Sequence, residues 1–361
     1  MPSADKQLTI LLPGLHHISA AQKIFFIENL HVTLKAGLSI IEALKILELQ
    51  IENPAFKKII GQIQKQIETG KALSESLARF PKLFPAVYIK MINAGEATGK
   101  LDESLKEIVS QMRKNYELKN KVRGAMIYPI IILIAMMGVG IEMIVFVLPK
   151  LLDIFKEADV PLPLPTRILI YLSELLVQRG WLILLVSLLT ALGLTLLYRR
   201  QEKFKLFCHK LAISLPVFGR VTKQINLARM SLVLSSLLKS AVPIVSSFEI
   251  CSEVMSNLLY KNALIRVSQD IKNGLSIAEN LADKPKLFPP LVTQMILIGE
   301  KTGMVENMLE ELSGYYEAEV DRLLKNLSTI IEPFLILFLG LVVGAMAISV
   351  IMPLYSLSQG I

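Results

Sequence analysis

The sequence has few of the residues that usually build metal centres and nucleophilic active sites. It contains two cysteines and four histidines among 361 residues. The cysteines form no C-x-x-C pair, and the histidines lack the spacing of a ligand set. The residues concerned are Cys208, Cys251, His16, His17, His31 and His209. The sequence therefore predicts no metal, no cofactor and no catalysis.

Aromatic residues are also scarce, whereas aliphatic residues are abundant. Aromatic residues make up 7% of the chain and there is a single tryptophan, but 53% of the residues are hydrophobic and the mean hydropathy is +0.52. This composition is too apolar for an ordinary soluble protein, although 19% charged residues is too many for a chain that lies wholly in a membrane. The two properties should therefore separate along the sequence.

Three long apolar runs account for the high hydropathy. Residues 127–149 and 331–353 are 23 residues each with one acid apiece, and residues 181–198 carry no charge. A helix of 23 residues is about 35 Å long, which is enough to cross the hydrocarbon core of a bilayer. The runs predict three transmembrane helices.

Charged residues beside these runs predict the topology. Basic residues precede the first run and follow the second, whereas residues 150–180 carry four basic and four acidic side chains. Basic flanks stay in the cytoplasm, so the N-terminus should be cytoplasmic, and the 150–180 connector and the C-terminus should lie outside. The PLPLP string of the connector (161–165) should have an extended backbone. The net charge of +8 gathers near the membrane and does not indicate a nucleic-acid partner.

The remaining sequence is helical in pattern and is repeated. Sliding the chain by 204 residues aligns PKLFP (81–85) with its copy at 285–289, and GEATG (95–99) with GEKTG (299–303). Apolar residues recur at three-and-four spacing in both copies. Ser39 and Ser74 are expected to be the N-cap residues of their helices. The predicted fold is all-α: two homologous cytoplasmic helical bundles in tandem, 20–126 and 199–330, plus three transmembrane helices, with short tails at 1–19 and 354–361.

The repeated string does not encode a phosphate-binding loop. Such a loop needs G-x-x-x-x-G-K-[ST]. If Gly99 and Lys100 supplied the G-K pair, the first glycine would fall on Ala94, and Leu101 would stand where a hydroxyl is required. The second copy replaces the lysine with Met304. The string therefore predicts a turn between helices.

We call residues 95–99 and 299–303 the repeated corner. Gly95 is expected to end the helix over 85–93, and Thr98 to cap the next helix through its hydroxyl. Gly99→Val should destabilise the first bundle, whereas Glu96→Gln should leave its melting nearly unchanged. The structural and contact candidates are Gly95, Glu96, Thr98, Gly99, Gly299, Glu300, Thr302 and Gly303.

Two acids in the apolar runs are further candidates. Glu142 lies about two thirds of the way across the first run, where an ionised carboxylate is costly unless it is paired or hydrated. One alternative is contact with a partner helix, from a pilin or another copy of the chain. The other is a nearby basic residue such as Arg167 or Arg179, or protonation of the carboxylate. Glu332, beside Pro333, is expected to cap the start of the third membrane helix.

Several strings resemble those of a known family. KVRGAMIYP (121–129), FPKLFP (80–85), GEATGKL (95–101) and IEPFLILFLG (331–340), with the repeat and the order of spans, are similar to the inner-membrane platform protein of type II secretion and type IV pilus systems. The resemblance implies a non-enzymatic homo-oligomer of the bacterial inner membrane. It would couple a cytoplasmic ATPase to pilin or pseudopilin insertion, beside other inner-membrane assembly proteins and lipid. Glu96 and Glu300 could then contact basic groups of the ATPase.

Two other classes of membrane protein are alternatives. An oligomeric transporter would need polar residues or broken helices near the middle of paired spans, and Gly140 with Gly344 is the matched pair. Those glycines also suit close helix packing. A receptor would need a larger outside domain than residues 150–180. Solute uptake would favour the transporter, and co-purification with an ATPase and pilins would favour the platform.

Overall fold

The computed structural model describes residues 18–142, 145–146, 164–215 and 218–359. These residues are helical almost throughout and include no strand, which confirms the all-α prediction. The chain forms two compact units. The first takes in residues up to Lys119 together with His209–Val320, and the second takes in Asn120–Cys208 and the residues from Asp321 onwards.

The helices of the first repeat follow one another with short connections. They are α1 (Ala20–Lys35), α2 (Ile40–Gln50), α3 (Pro54–Glu68), α4 (Leu73–Ala78), α5 (Ala86–Thr98) and α6 (Leu101–Glu142). The next two helices are α7 (Leu164–Arg200) and α8 (Glu202–Ser214). The second repeat contains α9 (Phe218–Lys239), α10 (Ile244–Val254), α11 (Leu258–Lys272), α12 (Ile277–Ala282), α13 (Pro290–Thr302) and α14 (Val305–Gln359).

Side-chain caps fix several helix starts in the first repeat. Ser39 accepts from the backbone N–H of Glu42, whose side chain accepts from the Ser39 N–H in return. This reciprocal cap satisfies two donors that the helix itself cannot satisfy, and it confirms the prediction for Ser39. Asn53 caps α3 in the same region, with Pro54 as the first helical residue.

The two repeats have the same core. Phe26, Leu30 and Leu44 are fully buried in the first repeat. Their mates at the 204-residue offset, Met230, Leu234 and Phe248, are fully buried in the second. From α1 to α5, and again from α9 to α13, each helix contacts the next in the same order, so the shared apolar pattern encodes one bundle twice.

The second unit contains the apolar helices. Among the residues that the structure describes, two segments are long and apolar enough to cross a membrane: one in Leu101–Glu142 and one at Arg179–Arg200. In the most apolar 18 residues of each segment, 6% and 0% of the residues are buried within the protein, which suits helices that face lipid. The backbone of 331–353 is helical within α14, and its crossing of the membrane remains a prediction.

The connector between the first two predicted spans departs from expectation. Residues 147–163 lie outside the described part, and with them the end of the 127–149 run and most of PLPLP. The last two residues of PLPLP, Leu164 and Pro165, begin α7, which continues to Arg200. An extended conformation is therefore wrong for these two residues, because proline is compatible with the first turn of a helix.

An ion pair joins α6 and α14 in the second unit. Lys121 Nζ lies 2.7 Å from Asp321 Oδ2, and both side chains are partly exposed. Gly124, Ala125 and Leu324 line a small cavity beside this pair. The two long helices are thus in direct contact shortly before their apolar parts.

Candidate functional site

The first glycine of the repeated corner lies inside a helix and not at its end. Gly95 and Gly299 are buried within α5 and α13. A Cβ atom at Gly95 would lie 2.8 Å from Ser104 Cβ, and one at Gly299 would lie 2.8 Å from Val305 Cα. Because real Cβ atoms do not approach so closely, only glycine lets α5 and α13 pack this tightly on the helix that follows. The prediction that Gly95 ends a helix over 85–93 is therefore wrong: the residue meets a packing need.

The last glycine of the corner ends the helix. Gly99 has φ 71° and Gly303 has φ 73°, the left-handed conformation that other residues adopt at a cost. The next backbone N–H then turns back on the helix. Lys100 N donates to Gly95 O at 2.8 Å, and Met304 N donates to Gly299 O at 2.9 Å. Both corners are helix C-caps in which the amide after the glycine satisfies an orphan carbonyl.

The corner glutamate caps another helix. The Leu73 N–H donates to Glu96 Oε1 at 2.6 Å, and the Ser74 N–H donates to Glu96 Oε2 at 3.2 Å. The Ser74 hydroxyl donates to the same carboxylate. Leu73 and Ser74 are the first two residues of α4, whose amides have no acceptor within the helix. Glu96, on α5, therefore supplies the N-terminal cap of α4 from 22 residues away.

The second repeat builds the same cap. Glu300 accepts from Ile277 N at 2.6 Å, from Ala278 N at 3.0 Å and from the Ser276 hydroxyl at 2.8 Å. The carboxylates occupy matching positions, but the hydroxyls do not: Ser276 is the N-cap residue of α12, whereas Ser74 is the second residue of α4. One glutamate and one serine thus hold each short helix against the following one.

The charge of the glutamate suits this position. A carboxylate at a helix N-terminus interacts favourably with the partial positive charge of the unsatisfied N–H groups. Since α4 has only six residues, it is too short to be stable by itself and depends on its contacts. This changes the expectation for Glu96→Gln, because the substitution removes a charge-assisted cap and should lower the stability of the bundle.

The corner threonine does not cap the next helix. The Thr98 hydroxyl donates to Ala94 O, and the Thr302 hydroxyl donates to Ile298 O, each at 2.8 Å. Both threonines are the last residues of their helices, so their side chains reach back to the preceding turn. The expected Thr98 cap on α6 is therefore wrong.

Ser74 has a different role from the predicted one. It was expected to be the N-cap of its helix, but the cap position belongs to Ala72, which makes no side-chain cap bond. The sequence does contain a signal for the true arrangement. A serine occurs within residues 72–74 and again within 276–278, each 22 to 24 residues before the corner glutamate.

The two acids of the apolar runs lie apart from the corners in the sequence. Glu142 is an exposed residue at the end of α6, and its partner stays a prediction. Glu332 lies inside α14, which begins at Val305, so the expectation that it caps a helix start is wrong. The helix runs on from the bundle through Pro333 without a break, and the Glu332 side chain lies outside the described part.

Among the histidines and cysteines of the described residues, Cys251 is buried and His209 accepts a backbone hydrogen bond. In the part of the chain that the structure describes, no cluster of histidine, cysteine, aspartate and glutamate could hold a metal ion. Burial raises the pKa of the Cys251 thiol, which keeps it protonated and unreactive. His209 Nδ1 accepts from the Leu258 N–H at 3.0 Å, at the start of α11.

Comparison with known proteins agrees with the repeat. The family of type II secretion system protein F matches residues 26–149 and again residues 230–353, two segments that are 204 residues apart. The chain is 34% identical to the type IV pilus assembly protein PilC of Thermus thermophilus, across 99% of this chain and 87% of the relative. It is 32% identical to the PilC protein of Myxococcus xanthus, across 98% of this chain and 84% of the relative.

The similarity extends to secretion proteins. The type II secretion system protein F of Aeromonas hydrophila is 30% identical across 90% of this chain and 83% of the relative. Both family segments contain one complete repeated corner and continue into an apolar helix. The chain belongs to the type II secretion system protein F family, which includes the type IV pilus assembly proteins.

Proposed function

We propose that this protein is the inner-membrane platform of a type II secretion or type IV pilus machine. In this role it is not an enzyme. It couples a cytoplasmic ATPase to the insertion of pilins or pseudopilins into a filament, as a small homo-oligomer with other assembly proteins. The observation that carries the proposal is the continuity of α6, a single helix from the buried Leu105 in the first bundle to the exposed Ile134 in its apolar part.

Continuity is the property that a coupling element needs. A helix of 42 residues is about 63 Å long, and it transmits a displacement that a flexible linker would absorb. The corner sets the start of this helix, because Gly95 and Gly99 fix how α5 packs on α6. We therefore propose that the repeated corners keep each bundle rigid against its long helix.

The proposal predicts that α6 must be unbroken. A Gly-Ser-Gly-Ser insertion after Arg123 should leave the protein in the membrane and bound to the ATPase, but it should abolish filament assembly. The matched control is Gly124→Ala, which keeps the helix and meets no atom within 4 Å. Filament assembly at the normal level by the insertion variant, measured by shearing and quantifying filaments, would contradict the coupling role.

Topology is a separate part of the proposal. The protein should cross the membrane three times, with both bundles in the cytoplasm and the C-terminus outside. Reporters fused after residues 115 and 215 should be cytoplasmic, and reporters at 160 and after 361 should lie outside. An outside reporter at 215 would separate the second bundle from the ATPase and refute the arrangement.

A further inference from the structure

The two repeats bind each other within the first unit through different faces. Helix α5 of the first repeat contacts α9 and α10 of the second. The Ser236 hydroxyl on α9 donates to Glu107 Oε1 on α6 at 2.8 Å. Tyr88 of α5 and Arg229 of α9 also interact electrostatically across this contact. We call this contact the internal junction.

Each repeat therefore has one face that the internal junction covers and one that it leaves uncovered. In the second repeat, Ser236 is 0% exposed and Ile250 is 6% exposed. Their mates in the first repeat, Val32 and Ile46, are 55% and 36% exposed. Phe25, the mate of the junction residue Arg229, is exposed as well. We call Phe25 and Val32 on α1, together with Ile46 on α2, the α1 stripe.

The opposite face shows the reverse pattern. In the first repeat Val87 is 2% exposed and Gln111 is 1% exposed. Their mates in the second repeat, Leu291 and Tyr315, are 37% and 48% exposed, and Ile298 beside them is 52% exposed. Residues 291, 295 and 298 follow helical spacing, so they form a continuous strip on α13. We call Leu291, Met295 and Ile298 on α13, together with Tyr315 at the neighbouring part of α14, the α13 stripe.

We propose that the α13 stripe of one copy of this chain binds the α1 stripe of the next copy, in the arrangement of the internal junction. The two stripes are the repeat mates of two faces that already fit each other, so their backbones carry complementary shapes. Such a head-to-tail contact is heterologous: it uses different faces of the two copies and can continue into a ring or a helical array. The inference rests on the homo-oligomer of the proposed function and assigns the contact between its copies from the repeat and from the exposure of the two stripes.

The chemistry of the stripes suits this partner. Exposed apolar strips on a folded helical surface indicate an interaction site. The internal hydrogen bond between Ser236 and Glu107 would be replaced, because the mates of these residues are Val32 and Glu311. Lys35 lies one turn beyond Val32 on α1 and is exposed, which provides a basic group for Glu311 of the neighbouring copy. A second copy accounts for both stripes at once, whereas a single foreign partner would account for one.

Disulfide cross-linking of the full chain in membranes tests the contact. The paired substitutions are Val32→Cys and Glu311→Cys, the mates of two residues in direct contact. Cys208→Ser removes the accessible thiol, and Cys251 can remain because it is buried. A chain that carries both cysteines should give a ladder of dimers, trimers and larger species. Two co-expressed chains that carry one cysteine each should stop at dimers.

Two controls make the result specific. Lys58→Cys, at an exposed position on α3, replaces Val32→Cys in a matched double variant and should give no ladder. Ile298→Glu should convert the wild-type oligomer to smaller species in size-exclusion chromatography with light scattering. Leu275→Glu, which also changes an exposed apolar residue but lies outside the stripes, should not.

The opposite results would overturn the proposal. Dimers from Val32→Cys alone, at the yield of the mixture, would indicate a symmetric contact of the α1 stripe with itself. Absence of cross-links in the double variant, with an oligomer unaffected by Ile298→Glu, would place the contact between copies elsewhere. Loss of filament assembly in Ile298→Glu while the wild-type chain is monomeric would identify a different protein as the occupant. Failure of the ATPase-coupling test would leave this result untouched.

Discussion

Replacement of Glu96 by glutamine tests the cap across helices directly. Hydrogen bonds to a charged group contribute about 1.5–3 kcal/mol, and removal of a helix N-cap costs about 0.5–2 kcal/mol. Glutamine keeps one acceptor oxygen but turns an NH₂ group towards one of the two amide donors of α4, the N–H groups of Leu73 and Ser74. We therefore expect a loss of about 1.5 kcal/mol at the start of α4, or roughly tenfold in the local opening equilibrium.

Hydrogen exchange of the full chain in lipid nanodiscs measures this effect locally. Leu73 and Ser74 lie in the first turn of α4 and depend on Glu96 for an acceptor, so their amides should exchange about tenfold faster in Glu96→Gln. Glu103→Gln is the matched control, because Glu103 is 65% exposed and only pairs with Lys100 at 3.4 Å. Unchanged exchange at the start of α4 in Glu96→Gln would refute the capping role.

Three further predictions concern the first repeat. Gly95→Ala should destabilise the bundle by about 1–3 kcal/mol through its clash with Ser104, and Ser104→Gly should restore part of the loss in chemical denaturation. Gly99→Val should cost about 1–3 kcal/mol because φ is positive, measured against Lys100→Ala in the same assay. Burial raises the pKa of Tyr88 to about 12 from 10.0, so the folded state holds its proton more tightly. At about 1.4 kcal/mol per pKa unit its contribution is about 3 kcal/mol, which is present below pH 10 and lost as the pH rises towards 12. Tyr88→Phe should flatten the pH dependence of the free energy of unfolding between pH 10 and 12. An unchanged pH dependence in this variant would contradict the role of Tyr88.

The fold could be predicted in large part because its information is local or repeated. Apolar spacing and caps such as Ser39 are properties of neighbouring residues. The 204-residue offset joins distant segments without any knowledge of their structure, and the matching burial of Phe26 and Met230 confirms what it indicates. The long apolar runs are visible in the sequence itself, and within the described residues the structure has helices long and apolar enough to cross a membrane at the first and second of these runs.

The roles within the corner could not be predicted because they depend on distant contacts. The sequence marks Gly95 and Gly99 as special, yet it does not reveal that one meets a neighbouring helix and the other needs a positive φ. The partner of Glu96 lies 22 residues earlier in a short helix with little pattern of its own. Thr98 could cap the next helix or bond backwards, and the end point of α5 decides between them.

The different origin of the hydroxyl in the two caps shows which part of the corner is constrained. In one repeat the donor comes from the second residue of the short helix, and in the other it comes from the residue before that helix. Both hydroxyls donate to a carboxylate that occupies the same position in the two repeats, Glu96 in the first and Glu300 in the second. The position of the hydroxyl donor thus differs between the repeats, whereas the carboxylate acceptor occupies the same position in both. A cap of this kind therefore tolerates its hydroxyl either at the residue before the short helix or at the second residue of that helix.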